Sequence, residues 1–122
     1  MGKSRDKGTL GETALVAYLR GRGEKVERRA LHGSADKGDI NWLDWIVCEV
    51  KNVRTPAYQA WVREAEVERL NAGAEIGVVV HKPHGVALTN QGDWHVVMSL
   101  DTFYHLVQMR EVAEGERSEN TG

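Results

Sequence analysis

Two short segments of the chain carry residues that could do chemistry together, Lys37–Ile40 and Cys48–Asn52. In the second segment, Glu49 and Lys51 are two residues apart in an apolar run that is typical of a strand. Side chains two apart on a strand project from the same face, so a carboxylate and an ammonium point together. A hairpin between the segments would bring Asp39 next to Glu49. Two carboxylates beside one lysine make a site for a hard cation, and such a site suits hydrolysis of a phosphodiester.

A helix and a basic strand precede these segments. Thr9 and Glu12 form a capping-box pattern, which predicts a helix that begins at Thr9 and ends near Gly21. Residues 25–31 alternate like a half-exposed strand, and residues 32–38 are predicted to form a loop. In this interpretation Glu12 has a purely structural alternative role as the helix cap.

The order of these residues resembles that of the PD-(D/E)XK nuclease superfamily, and more closely the archaeal and phage type of Holliday junction resolvase. Members of that group carry a helix Glu, a basic strand, a Ser-containing loop, Gly-Asp-Ile and then Glu-Val-Lys. The matching segments here, within residues 8–52, are Gly11-Glu12, Val26–Arg29, Gly33-Ser34, Gly38–Ile40 and Glu49–Lys51. One departure is Gly38, which stands where the superfamily usually has Pro, although resolvase-like members often have this Gly.

The resemblance implies a Mg²⁺-dependent DNA endonuclease, with Mn²⁺ as a substitute metal. Asp39 and Glu49 would bind the metal, with help from Glu12 and from the backbone carbonyl of Val50. Lys51 would orient the attacking water or stabilise the developing negative charge. Carboxylate oxygens without a cysteine or histidine set favour Mg²⁺ or Mn²⁺ over zinc.

Basic and hydroxyl side chains near the predicted site could contact DNA phosphates. The candidates are Arg5, Lys7, Arg28, Arg29, Ser34 and Lys37. The whole chain has a net charge of −2, which does not indicate nucleic-acid binding by itself. Residues 1–60, however, hold 11 basic and 8 acidic residues, whereas residues 61–122 hold 5 and 10. An ordinary solvated surface explains the same basic residues equally well.

The remainder of the chain predicts two more helices and two more strands. These are a helix from Thr55-Pro56 to about Gly73, a buried strand over 75–81, a strand over 94–98, and a helix from Ser99 to about Arg110. The order predicts an α/β class with a mixed central β-sheet flanked by helices. The resemblance makes this a single-domain restriction-endonuclease-like core over residues 9–110, between a flexible basic arm (1–8) and a disordered acidic tail (111–122).

Composition excludes several other classes of protein. The chain has no run of 18 apolar residues, so we expect no membrane span. The single cysteine, Cys48, lies in an apolar run and favours a buried, reduced thiol in a cytoplasmic protein. His81 and His84 lack a third clear zinc ligand. The spacing from Gly33 to Gly38 fails as a P-loop because Asp39 stands where Lys must follow.

The substrate and the assembly are inferred from the reaction that the resemblance implies. Cutting a four-way junction requires two symmetric nicks, so we expect a homodimer on branched DNA. The apolar strand Ile76–Val80 and the four tryptophans could supply part of its interface. Tryptophans more often fill a core or a dimer interface than stack on bases. Gln59 is a further candidate beside the site. Two alternatives stay open: a nicking, repair or restriction-like nuclease of the same superfamily, or a DNA-binding module without chemistry.

Overall fold

The computed structural model describes residues 2–29 and 38–121, with side chains over 6–29 and 38–119. One five-stranded mixed sheet is flanked by three helices, which confirms the predicted α/β class. The elements in chain order are α1 (Gly2–Gly21), β1 (Glu27–Arg28), β2 (Ile40–Asn41), β3 (Ile46–Lys51), α2 (Tyr58–Ala72), β4 (Ile76–His81), β5 (His95–Val97) and α3 (Leu100–Thr121).

The strands follow one another across the sheet in chain order, β1-β2-β3-β4-β5. Neighbouring strands are antiparallel except β3 and β4, which are parallel and are joined through α2. Parallel strands need such a crossover connection. Because they are parallel, β3 and β4 end at the same edge of the sheet, where Lys51 pairs with His81.

Strand β4 is the buried centre of the sheet. All six of its residues are buried, and its valines suit a strand that is covered on both faces. A Cβ atom at Gly77 would lie 2.4 Å from the Ala65 carbonyl oxygen, so the glycine allows α2 to approach the strand closely. The prediction that Ile76–Val80 forms part of a dimer interface is therefore wrong, since β3, β5 and α2 already cover this strand.

The tryptophans belong to the core. Trp61 and Trp94 are buried, and Trp42 and Trp45 pack partly buried against the main apolar cluster. This placement fits the prediction that they fill a core.

Helix α1 begins well before its predicted start. It is helical from Gly2, so Thr9 lies inside the helix and Glu12 is not in its first turn. The capping-box prediction is therefore wrong, and residues 2–8, which belong to the predicted flexible basic arm, are helical. An N-cap residue is needed where the backbone N–H groups that follow it have no carbonyl partners. At Thr9 the preceding helical turns supply those carbonyls, so no cap is needed.

Helix α3 is also longer than predicted. Ser99 Oγ accepts the backbone N–H of Thr102 at 3.0 Å, which confirms the predicted cap. The helix continues past Arg110 to Thr121, through most of the segment that was predicted as a disordered acidic tail. Arg110 and Glu114 form an i,i+4 ion pair in this extension, the kind of contact that supports an exposed helix.

The remaining bounds differ from prediction by a few residues. Helix α2 begins at Tyr58 rather than at Thr55-Pro56. It ends at Ala72, and the C-cap residue is Gly73, as predicted, with a left-handed φ of 69°. None of the helices in the described part of the chain has the length and apolar character to cross a membrane.

Candidate active site

Three of the predicted catalytic residues, Asp39, Glu49 and Lys51, lie together at the end of β3. Glu49 and Lys51 lie two residues apart there, with 3.5 Å between Lys51 Nζ and Glu49 Oε1. Asp39 immediately precedes β2 and donates its backbone N–H to the Cys48 carbonyl at 3.1 Å. Its carboxylate oxygen Oδ2 accepts the backbone N–H of Val50 at 2.7 Å, beyond the last residue pair of the β2–β3 ladder. The expected approach of Asp39 to Glu49 is therefore found.

The backbone conformation at Gly38 excludes a proline immediately before Asp39. Its φ is 97°, a backbone conformation that proline, with φ fixed near −65°, does not adopt. A Cβ atom at this position would also lie 2.7 Å from Val47 Cγ1. The glycine thus lets the chain turn closely against β3 and present Asp39 to the end of that strand.

Helix α1 contributes a second carboxylate on the β2 side of the site. The negative charge of Glu12 acts on Asp39, and Glu12 Oε1 accepts a hydrogen bond from Arg28 Nε at 3.0 Å. The Asn52 side chain donates to the Lys7 carbonyl at 2.8 Å, which ties α1 to the end of β3. Glu12 is therefore placed by tertiary contacts and not by a capping role.

Helix α2 contributes two carboxylates that sequence reasoning did not identify. Lys51 Nζ donates to both oxygens of Glu64, at 3.1 and 3.2 Å. Carboxylate oxygens of Glu49, Glu64 and Glu68 lie within 4.8 Å of one another, close enough to hold a metal ion together. This is the only group of three or more such side chains found among the described residues.

A signal for one of these glutamates was present in the sequence. Trp61, Ala65 and Glu68 follow the i, i+4, i+7 spacing that puts residues on one helix face, and all three are buried. A carboxylate in an otherwise apolar stripe indicates a buried polar partner or a ligand. Gln59, the candidate that the sequence predicted on this helix, is exposed in the first turn of α2.

Burial makes the site carboxyls hard to ionise without a cation. Burial, and contact with the Glu68 and Glu64 carboxyls, raise the pKa of Glu49 far above its ordinary range. Burial also raises the pKa of Asp39 to about 6; the Val50 N–H opposes this shift and the charge of Glu12 adds to it. Burial and the neighbouring carboxyls therefore favour the protonated form of Glu49 when no cation is bound.

The Lys51 ammonium is stabilised by the same carboxylates. Burial alone would lower the pKa of Lys51, but the hydrogen bond from its Nζ to Glu64 and the charges of Glu49 and Asp39 outweigh burial and raise that pKa. Lys51 is therefore a fixed positive charge at neutral pH and not a general base.

The residues present fit an oxygen-preferring divalent cation. The Glu49 side chain is 7% exposed, and its Oε2 atom is buried with no hydrogen-bond donor among the described residues. A buried carboxylate oxygen without a donor is costly unless a proton or a cation compensates it. At Val50 the structure places the backbone N–H, not the carbonyl, at the Asp39 carboxylate.

Three of the six predicted DNA-contacting residues have side chains that the structure describes. Lys7 and Arg28 are exposed beside the site, and Arg29 is half-buried and bonds Asn41 through its guanidinium at 3.3 Å. Ser34 and Lys37 lie outside the described residues, and Arg5 lies in α1 but its side chain is not described.

Two other titratable side chains near the site take structural positions. Cys48 is buried, and burial raises the pKa of its thiol to about 12, which fits the predicted inert thiol. His81 Nε2 lies 3.1 Å from the Val53 carbonyl oxygen, and its ring packs edge-on against Trp61 with centroids 4.9 Å apart. His81 belongs to no group of potential metal ligands among the described residues.

Comparison of the chain with protein-family models, with curated proteins and with solved structures finds no match. The functional interpretation therefore depends on the residues and geometry of the site.

Proposed function

We propose that the protein is a Mg²⁺-dependent DNA endonuclease of the PD-(D/E)XK type that acts on four-way junctions as a homodimer. The observation that carries this proposal is the convergence of Asp39, Glu49 and Lys51 at the end of β3. Two neighbouring carboxyl groups in a partly buried site, beside one ammonium group, favour cation binding and phosphate chemistry.

The architecture supports the finer class. The Asp comes immediately before the second strand and the Glu-x-Lys pair ends the third, as expected for a restriction-endonuclease-like core. The N-terminal helix brings Glu12 to the same place, which is the position that the resolvase resemblance implies for a helix Glu. Helix α2 then crosses to the parallel strand β4 and covers the site from the side.

Asp39 and Glu49 would hold the metal, with Glu12 close to Asp39. Mg²⁺ at this position would supply charge neutralisation at the scissile phosphate and make water a better nucleophile. Lys51 donates N–H groups toward the same region and stabilises negative charge as it develops on the phosphate oxygens. The Val50 N–H keeps Asp39 oriented, and Arg28 keeps Glu12 oriented.

Exposed basic side chains around this site support binding of a phosphate backbone. Lys7 extends from α1, Arg28 from β1 and Arg54 from the loop after β3, and all three are exposed. Contacts between such side chains and DNA release counterions, so binding should weaken steeply with salt.

Apolar surface on α3 supports the homodimer. Leu100, Phe103 and Tyr104 are 79%, 54% and 61% exposed, and Val96 of the edge strand β5 is 55% exposed. Contiguous exposed apolar residues are typical of interfaces. A two-fold contact through this surface would give the two sites that paired nicking of a junction requires.

The test is cleavage of a four-way junction beside linear duplex, flap and single-stranded DNA of the same sequence, at equal salt. The proposal predicts Mg²⁺-dependent cleavage with preference for the junction, and a mass by light scattering near twice 13.6 kDa. A monomer that nicks linear duplex equally well would be a different nuclease of the same type. Binding without cleavage at any metal concentration would leave only the DNA-binding module.

A further inference from the structure

The three glutamates on the α2 side of the site form a group that does not include Asp39. Glu49 comes from β3, whereas Glu64 and Glu68 are one turn apart on α2 and face the same strand. Asp39 reaches Glu49 from β2 and lies outside this group. Glu49 is therefore shared between two sets of acidic residues.

This group differs from an ordinary acidic surface cluster in its burial. The Glu49 side chain is 7% exposed and the Glu68 residue is 1% exposed. The Glu49 atom Oε2 has no donor among the described residues, although the Glu64 and Glu68 carboxyls are within hydrogen-bonding range of Glu49. Ionised carboxylates only accept hydrogen bonds, so a proton or a cation must lie between these groups.

We propose that Glu49, Glu64 and Glu68 bind a second divalent cation, and that Glu49 bridges this ion and the one at Asp39. Three ionised carboxylates beside the Lys51 ammonium leave a net charge of −2, which one divalent cation neutralises. An all-oxygen ligand set selects Mg²⁺, Mn²⁺ or Ca²⁺ over softer metals.

The distances between the carboxylate oxygens limit the size of the ion that all three glutamates can bind. Two oxygens on one ion lie no farther apart than twice the metal–oxygen distance, which is about 4.2 Å for Mg²⁺ and about 5 Å for Ca²⁺. The oxygens of the three glutamates lie within 4.8 Å of one another, which is inside the limit for Ca²⁺. A smaller ion draws the carboxylates together and competes with Lys51 for Glu64.

The catalytic use of this second ion rests on the proposed function, but its binding does not. The experiment is a count of bound Mn²⁺ per chain by electron paramagnetic resonance titration, without DNA. The wild type is expected to bind two Mn²⁺. Glu68→Gln and Asp39→Asn are each expected to bind one, because each removes a ligand of a different ion.

Two further variants make the number of bound Mn²⁺ ions per chain interpretable. Glu66→Gln, on the same helix but paired with Arg69, is the matched control and should bind two Mn²⁺. Because Glu68 is buried, Glu64→Gln tests the same ion at a partly exposed position and should also bind one. Circular dichroism checks that each variant is folded.

Failure of this inference and failure of the proposed function are distinguishable. Two Mn²⁺ bound by both the Glu68→Gln and the Glu64→Gln variants, or one Mn²⁺ in a wild type that cleaves DNA, would overturn the second site alone. Two Mn²⁺ in a wild type that cleaves no DNA would overturn the function and leave the second site in place.

Discussion

The carboxylates on the β2 side of Glu49 and those on its α2 side have different hydrogen-bond donors. On the β2 side, Asp39 accepts the Val50 N–H at 2.7 Å and Glu12 accepts the Arg28 guanidinium at 3.0 Å. On the α2 side, Glu64 takes the Lys51 ammonium at 3.1 Å, and Glu49 keeps a buried oxygen without a donor among the described residues.

The β2 side therefore fixes the orientation of its carboxylates, whereas the α2 side leaves part of its negative charge unbalanced. The β2 side has enough donors to hold its carboxylates in place without a cation, so it is preorganised. The α2 side has more buried negative charge than Lys51 can balance, so it depends on protons or on a cation. Variants on the two sides should therefore fail in different ways.

The largest effect is expected for Glu49→Gln, because Glu49 belongs to both sides. Losing a metal ligand removes several kcal/mol of transition-state stabilisation, which corresponds to at least roughly 10³-fold in the cleavage rate. Junction binding should largely persist, since the proposed phosphate contacts are made by Lys7, Arg28 and Arg54. Single-turnover cleavage and gel-shift assays measure the two quantities, and cleavage at the wild-type rate would refute the assignment of the site.

Lys51→Ala should lower cleavage by roughly 10²-fold or more, the scale for removing one charge stabiliser. The number of bound Mn²⁺ ions should stay at the wild-type value, because an ammonium is not a ligand. Lys25→Ala, an exposed lysine after α1, is the matched control. If metal binding collapsed while the rate at saturating metal stayed normal, the role assigned to Lys51 would be wrong.

Glu12→Gln sharpens the comparison on the β2 side. The variant keeps a hydrogen bond to Arg28 but loses the charge beside Asp39, and changes to such neighbours of metal ligands typically cost about 10- to 100-fold in activity or metal affinity. The melting temperature should change little, because Glu12 does not cap α1. A Glu12→Gln protein that is less stable yet fully active would leave Glu12 with a structural role only.

The smallest effect is the pH dependence of stability without metal. The folded-state pKa of Asp39 is raised to about 6, and that of Glu49 is raised further, so the folded protein binds more protons than the unfolded chain. These two groups therefore stabilise the fold less as pH rises from about 4 through 6 and above. Urea unfolding at pH 5 and pH 8, in chelator, should show a larger loss for the wild type than for Glu49→Gln. A wild type that gains more stability than Glu49→Gln over this range would contradict the shifts.

The arrangement of Asp39, Glu49 and Lys51 was predictable from the sequence because it depends on local rules. Alternation along a strand places Glu49 with Lys51, and a short hairpin between β2 and β3 brings Asp39 back to them. The α2 side was not predictable in the same way. Helical periodicity shows that Glu68 is buried, but not that it faces Glu49, since this depends on how α2 packs over the sheet at Gly77.

The ends of α1 and α3 were missed for a related reason. Residues 2–8 and 111–121 lack an apolar stripe, so hydrophobic periodicity gives no helix signal there. The structure extends both helices from turns that do pack against the sheet, and ion pairs such as Arg110–Glu114 support the extension.

The most direct test of the central claim is the cleavage rate of a labelled four-way junction as a function of Mg²⁺ concentration, for the wild type and for Asp39→Asn. The claim that Asp39, Glu49 and Lys51 form a metal-dependent nuclease site predicts wild-type cleavage that requires Mg²⁺. It also predicts an Asp39→Asn protein that binds the junction but does not cut it. Cleavage in the presence of chelator, or an equal rate in Asp39→Asn, would contradict that claim.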